Sequence, residues 1–187
     1  MTKKRKMILR MCLSSLIAAL YAVVTIFTAP ISYGAIQFRV AEALNILPLF
    51  FPESILGLTI GCLISNFFTP GNVLLDTTLG TLGTLLASIS CYIIGRFIKK
   101  EPLRVILGIL PAIIFNAILV PFTFLAVSEL KEAYFIELCW VGLGQLGVLV
   151  ILGIPFYYAF KTIDKRYNFL YSSSEKNSSS ASPNEEE

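Results

Sequence analysis

The chain has 187 residues, 56% of them hydrophobic and only 14% charged, with a net charge of +3 and a mean hydropathy of +0.76. Soluble domains are roughly 45–50% apolar and about 25% charged, so this chain stands outside that class. Histidine is absent, which removes histidine acid–base catalysis, Ser-His triads and the usual zinc ligands.

Five stretches carry no charge: Met11–Phe38, Ser54–Leu75, Thr77–Gly95, Val105–Ser128 and Leu138–Phe160. A bilayer-crossing helix needs about 20 apolar residues, so these lengths predict an all-α, polytopic membrane protein with no separate soluble domain. Lys3, Lys4, Arg5, Lys6 and Arg10 precede the first run. A basic start before apolar residues also marks a secretory signal, but the later spans need no such leader, and the first run is expected to stay as a helix over about 12–29. On it, Ser14, Ala18 and Ala22 form a repeat of small residues every fourth position, which lets helix backbones approach closely.

The next stretch, SYGAIQFRVAEALNILP (32–48), places Gln37, Arg39, Glu42 and Asn45 together. Arg39, Glu42 and Asn45 are spaced i, i+3, i+6, on one side of a helix, where Arg39 and Glu42 can pair. Ionised residues among lipid tails are expensive and commonly mark a functional pathway. Two readings stay open here: a structural ion pair, or the polar wall of a ligand site with Gln37 added from the preceding loop.

Further along, Gly57, Gly61 and Ser65 form a second small-residue repeat, and Gly80, Thr84 and Ser88 a third; both are read as packing within a bundle. Asn66 ends one helix and Asp76 starts the next, either as a cap favoured by the helix dipole or as a ligand contact. Asn116 lies between Pro111 and Pro121, each of which frees a backbone carbonyl. Trp140 and Gln145 belong to the last helix. Tyr33, Phe38 and Trp140 fit an interfacial aromatic belt, from which one or two rings can also stack on a planar ligand.

The basic residues set the topology. Arg96, Lys99, Lys100 and Arg104 form a second cluster, and Lys161, Lys165 and Arg166 a third. If the three clusters share the cytoplasmic side, an even number of crossings precedes residue 96, so the polar segment 38–51 must itself cross. Six transmembrane helices result, at roughly 12–29, 38–51, 53–68, 73–95, 103–126 and 136–160, with both termini cytoplasmic. The predicted layout is a basic N-terminus over 1–11, a membrane domain over 12–160 and a cytoplasmic segment over 161–187. Its Ser/Glu-rich end, Ser172–Glu187, cannot bury a core.

Cys12, Cys62, Cys91 and Cys139 form no CxxC pair and read as small packing residues rather than a disulfide or metal set. No GxxxxGK[ST] loop is present, so this chain does not hydrolyse ATP by the P-loop route. No cofactor, metal or enzymatic activity is expected.

With these residues assembled, the sequence resembles the substrate-binding S components of energy-coupling factor (ECF) transporters, and more narrowly the QueT group, assigned to queuosine precursors. The resemblance rests on SYGAIQFRVAEALNILP (32–48), GLTIGCLISNFF (57–68), LLDTTLGTLGTLLA (74–87) and VGLGQLGVLVILGIP (141–155), and spans most of 12–160. It implies a small-nutrient binder whose helix 1–2 loop, here 30–37, acts as a lid. It also implies a coupling transmembrane subunit driven by two ATPase subunits, with Ala18 and Ala22 matching the docking face. An acidic residue is common in the family where this chain has Gln145, which leaves the ligand's preferred charge open. A deazaguanine suits the polar set: Glu42 or Asp76 as acceptor, Arg39, Gln37 or Asn116 as donor, Trp140 or Phe38 as stacking surface. An S component for another vitamin and a stand-alone secondary carrier are the alternatives, although no inverted repeat is visible.

Overall fold

The computed structural model describes residues 3–32, 38–69, 73–122 and 131–167, and all the regular structure among them is helical. Helix α1 (Lys3–Phe27) begins earlier than the apolar run requires, because Lys and Arg are good helix formers and no breaker precedes Pro30. A short α2 (Ala29–Ser32) follows. The segment Val40–Leu49 is a 3-10 helix, then come α3 (Glu53–Asn66) and α4 (Val73–Leu75). A π-helical turn, Asp76–Gly80, joins α4 to α5 (Thr81–Phe97). Helix α6 (Glu101–Leu119) precedes α7 (Lys131–Val148), which a second π turn, Leu149–Gly153, joins to α8 (Ile154–Tyr167).

Four helical stretches are long and apolar enough to cross a bilayer: Met7–Phe27, Val73–Phe97, Glu101–Leu119 and Tyr134–Ile163. Val40–Leu49 and Glu53–Asn66 are shorter apolar helices.

The 3-10 helix is the hub of the bundle. Residues 41–49 are all buried, and the element touches every long helix. A helix over 38–51 is expected from the sequence, but its winding differs. In a 3-10 helix residues three apart eclipse, so Glu42, Asn45 and Pro48 stack along a single edge, with Arg39 just ahead of the first turn. Pro48 has no N–H, so the α-type bond back to Leu44 is unavailable. The narrower helix fits a slot enclosed on all sides. A 3-10 run of this length is uncommon and often accompanies function.

Each end of this hub is pinned. At one, Nη2 of Arg104 donates to the Leu49 carbonyl. Near it Arg10 meets Glu53 at 3.0 Å and Lys161 pairs with Glu101. At the other, Arg39 reaches Asn66. Apolar packing fills the rest: Ile46, Leu49, Ile109 and Leu149 on one side, and Ile17, Leu44, Leu47 and Leu58 on the other.

The closest helix pair is α1 with α3. A Cβ placed on Gly57 would lie 2.6 Å from the Ser14 carbonyl oxygen, and one on Gly61 would lie 2.8 Å from that of Ala18 and 2.7 Å from Tyr21 Cβ. The small residues of α3 therefore receive the backbone of α1. Ala18 lies in this α1–α3 contact, and Ala22 is one turn further along α1. They are 6% and 7% exposed within the isolated chain, and Ala18 is covered by Gly61. A repeat of small residues shows that a backbone comes close, not whose backbone it is.

Gly61→Leu should accordingly destabilise the fold by about 1–3 kcal/mol through overpacking, read as a lower melting temperature in detergent. Ile60→Leu, on the half-exposed neighbouring face, should melt like the parent chain. Equal melting of the two variants would mean that α1 and α3 do not touch at Gly61.

Candidate functional site

The eclipsed edge of the 3-10 helix points into a buried polar cluster. Glu42 is fully buried. Its Oε1 accepts from the Tyr21 hydroxyl at 2.5 Å, and its Oε2 accepts from Nδ2 of Asn45. Asn45 Oδ1 in turn accepts from Ser88 Oγ at 3.3 Å. Arg39 points the other way, with Nη2 donating to Asn66 Oδ1 at 3.1 Å. Arg39 and Glu42 are near enough to sense each other's charge, but among the described residues they form no ion pair.

Asn66 and Cys62 form a second node. Asn66 Nδ2 donates to the Asp76 carbonyl at 3.0 Å and to Cys62 Sγ at 3.4 Å, while Thr84 Oγ1 donates to the same sulfur at 3.2 Å. Cys62 is thus a hydrogen-bond acceptor at the centre of the bundle, more than a packing residue. Gly80 makes room for this node, since a Cβ there would lie 2.6 Å from Asn66 Nδ2. Together Gly80, Thr84 and Ser88 turn the third small-residue repeat inward, as packing within the bundle requires.

Asn116 on α6 is fully buried and stands beside the Glu42 carboxylate. Its amide is within reach of that carboxylate, but neither amide atom meets good hydrogen-bond geometry with any group. Gln145 on α7 is 1% exposed, with Oε1 unpartnered. Buried polar groups are satisfied in the great majority of native structures, which sets these amide atoms apart from the rest of the cluster.

Of the residues singled out from the sequence, Arg39, Glu42, Asn45 and Asn116 come together, joined by Asn66 at one end. Gln145 is buried on the neighbouring helix. Asp76 opens the π turn; its carbonyl accepts from Asn66 Nδ2, and its carboxylate accepts from Thr69 Oγ1 at 3.3 Å. That bond ties down the approach to the turn, and no side-chain cap forms. Trp140 is 44% exposed on α7. Gln37 and Tyr33 lie outside the described residues. Tyr21 is the residue that sequence reasoning passes over. Its signal is a lone tyrosine in the middle of an apolar helix, where a buried hydroxyl must find a partner.

A family model of the QueT transporter matches residues 11–162. The queuosine precursor transporter QueT of Lactococcus lactis subsp. cremoris (strain MG1363) is 42% identical over 86 residues, covering 44% of this chain and 50% of that relative. The chain thus spans about half the length of the curated relative it matches. No solved structure matches significantly. The matched residues run from α1 into α8 and include the whole polar cluster. The chain belongs to the QueT transporter family and is a multi-pass protein of the cell membrane.

Proposed function

We propose that this chain is the substrate-binding subunit of an ECF importer that takes a queuosine precursor, a deazaguanine, from outside the cell. The observation that carries the reading is the buried polar cluster of Arg39, Glu42, Asn116 and Gln145 inside an otherwise apolar bundle, with amide atoms still lacking partners. Family membership supplies the substrate class. A planar base with N–H donors and a ring carbonyl matches such a set. Gln37, Asp76 and Trp140 complete the proposed set of ligand contacts, as the family resemblance implies. The chain acts as a carrier of its ligand and not as an enzyme.

Energy comes from two ATPase subunits acting through a coupling transmembrane subunit. In this reading Ala18 and Ala22 of α1 take part in docking that partner. The coupling subunit meets the outer side of α1, where an apolar groove of about 410 Å³ opens against the 3-10 helix and α8 between Leu20, Val24, Ala41 and Phe156. In this reading the two shorter helices also cross, six spans result, and both termini face the cytoplasm, with the membrane domain over 12–160.

Two experiments test this reading. Isolated protein should bind the precursor, whereas uptake by cells should require the coupling subunit and both ATPases; uptake by the chain alone would make it a stand-alone carrier. Single cysteines at positions 98–100 should label from the cytoplasmic side and cysteines at positions 30–32 from outside. Labelling of 98–100 from outside would break the six-span topology, because the basic clusters would then lie on opposite sides.

A further inference from the structure

Two neutral amides of the cluster, Asn116 and Gln145, carry buried side-chain atoms with no hydrogen bond inside the bundle. Both oxygens of Glu42 already accept, from Tyr21 and from Asn45. Asn116 is the opposite case. It is fully buried, and its Nδ2 donor and Oδ1 acceptor are both unpartnered. The adjoining helix makes space for it: a Cβ on Gly83 would come 2.8 Å from Asn116 Oδ1. Helices α6 and α7 pack against each other, and α7 adds Gln145 with its unpartnered Oε1.

We infer that Asn116 and Gln145 read the ligand directly, and that the edge they read is a neutral lactam carrying one further N–H donor. A primary amide holds its donor and acceptor side by side, so Asn116 Oδ1 accepts from a ring N–H while its Nδ2 donates to the adjacent ring carbonyl. Gln145 Oε1 accepts from an amino group next to that N–H. Neither amide carries charge, so neither offers a counter-ion to an ionised ring, and specificity arises from matched donors and acceptors. A site built to bond a particular N–H rejects an analogue lacking it, because its own buried group is then left orphaned. The inference rests on the proposed function for the class of base and adds which residues read which atoms.

Isothermal titration of the purified full chain in detergent tests it, with 7-deazaguanine and with 7-deazahypoxanthine, which lacks the exocyclic amino group. Wild-type protein should bind 7-deazaguanine about tenfold or more tightly than the hypoxanthine analogue, the scale of one hydrogen bond to a buried group. Gln145→Leu should bind the two bases equally. Asn116→Leu should weaken both by roughly 10- to 100-fold, two bonds being lost. Without ligand its melting temperature should equal or exceed that of the parent, because an unsatisfied buried amide has been replaced by an apolar side chain of similar size. Asn116→Ser, which keeps one of the two bonds, should fall between and provides a second variant if the leucine fails to fold. Undiminished affinity in Asn116→Leu or Asn116→Ser, with wild-type binding intact, would overturn the inference and leave the proposed function standing. So would persistent discrimination between the bases in Gln145→Leu. Failure of wild-type protein to bind either base would instead overturn the proposed function and this assignment with it.

Discussion

Glu42→Leu is expected to lower the free energy of unfolding by about 3–5 kcal/mol, enough to leave a marginal membrane bundle partly unfolded in detergent. Leucine fits the volume but removes the acceptor of two buried donors, Tyr21 Oη and Asn45 Nδ2. It also removes a negative charge that acts on the buried Arg39. Glu42→Gln, which keeps one oxygen acceptor, should cost less, about 1–2 kcal/mol. Tyr21→Phe should also cost about 1–2 kcal/mol, leaving one carboxylate oxygen short of a donor. The check is thermal or denaturant unfolding of ligand-free protein. Combined with Tyr21→Phe in a double-mutant cycle, Glu42→Gln should show a coupling of about 0.5–3 kcal/mol. Parent-like melting of Glu42→Leu would mean that the carboxylate is not enclosed as described.

Asn66→Leu should have the second-largest effect, about 3 kcal/mol. The side chain accepts from Arg39, donates to the Asp76 carbonyl and touches Cys62. Its loss leaves a buried cation with one acceptor fewer and takes a donor from the Asp76 carbonyl, each worth about 1–3 kcal/mol. Removing both partners of a buried polar pair is commonly less harmful than removing one. The double variant Arg39→Met/Asn66→Leu should therefore melt higher than Asn66→Leu alone. If the double variant instead melts lower by the sum of the two single losses, the Arg39–Asn66 contact contributes nothing.

The positions of the long helices are legible in the sequence because charge is so expensive in lipid that its absence marks a span. The polar edge at Arg39, Glu42 and Asn45 is legible for the same reason. Its 3-10 winding is not, since an i, i+3, i+6 spacing is compatible with either helix, and the narrow slot between the surrounding helices decides the matter. Partner choice among small-residue repeats is likewise a property of two surfaces. Ser14, Ala18 and Ala22 look available until Gly57 and Gly61 are set against the same helix. Tyr21 escapes notice because an aromatic in an apolar run reads as packing, and only the third dimension brings Glu42 to its hydroxyl.

The most direct test of the central claim is mass spectrometry of the small molecule that co-purifies with the full chain from cells supplied with a queuosine precursor. The protein is washed in detergent and then denatured to release its ligand. The buried polar cluster predicts a deazaguanine base at close to one per chain in the wild type, and far less in Asn116→Leu purified in parallel. A stoichiometric nutrient of another class, or equal deazaguanine retained by both proteins, would contradict it.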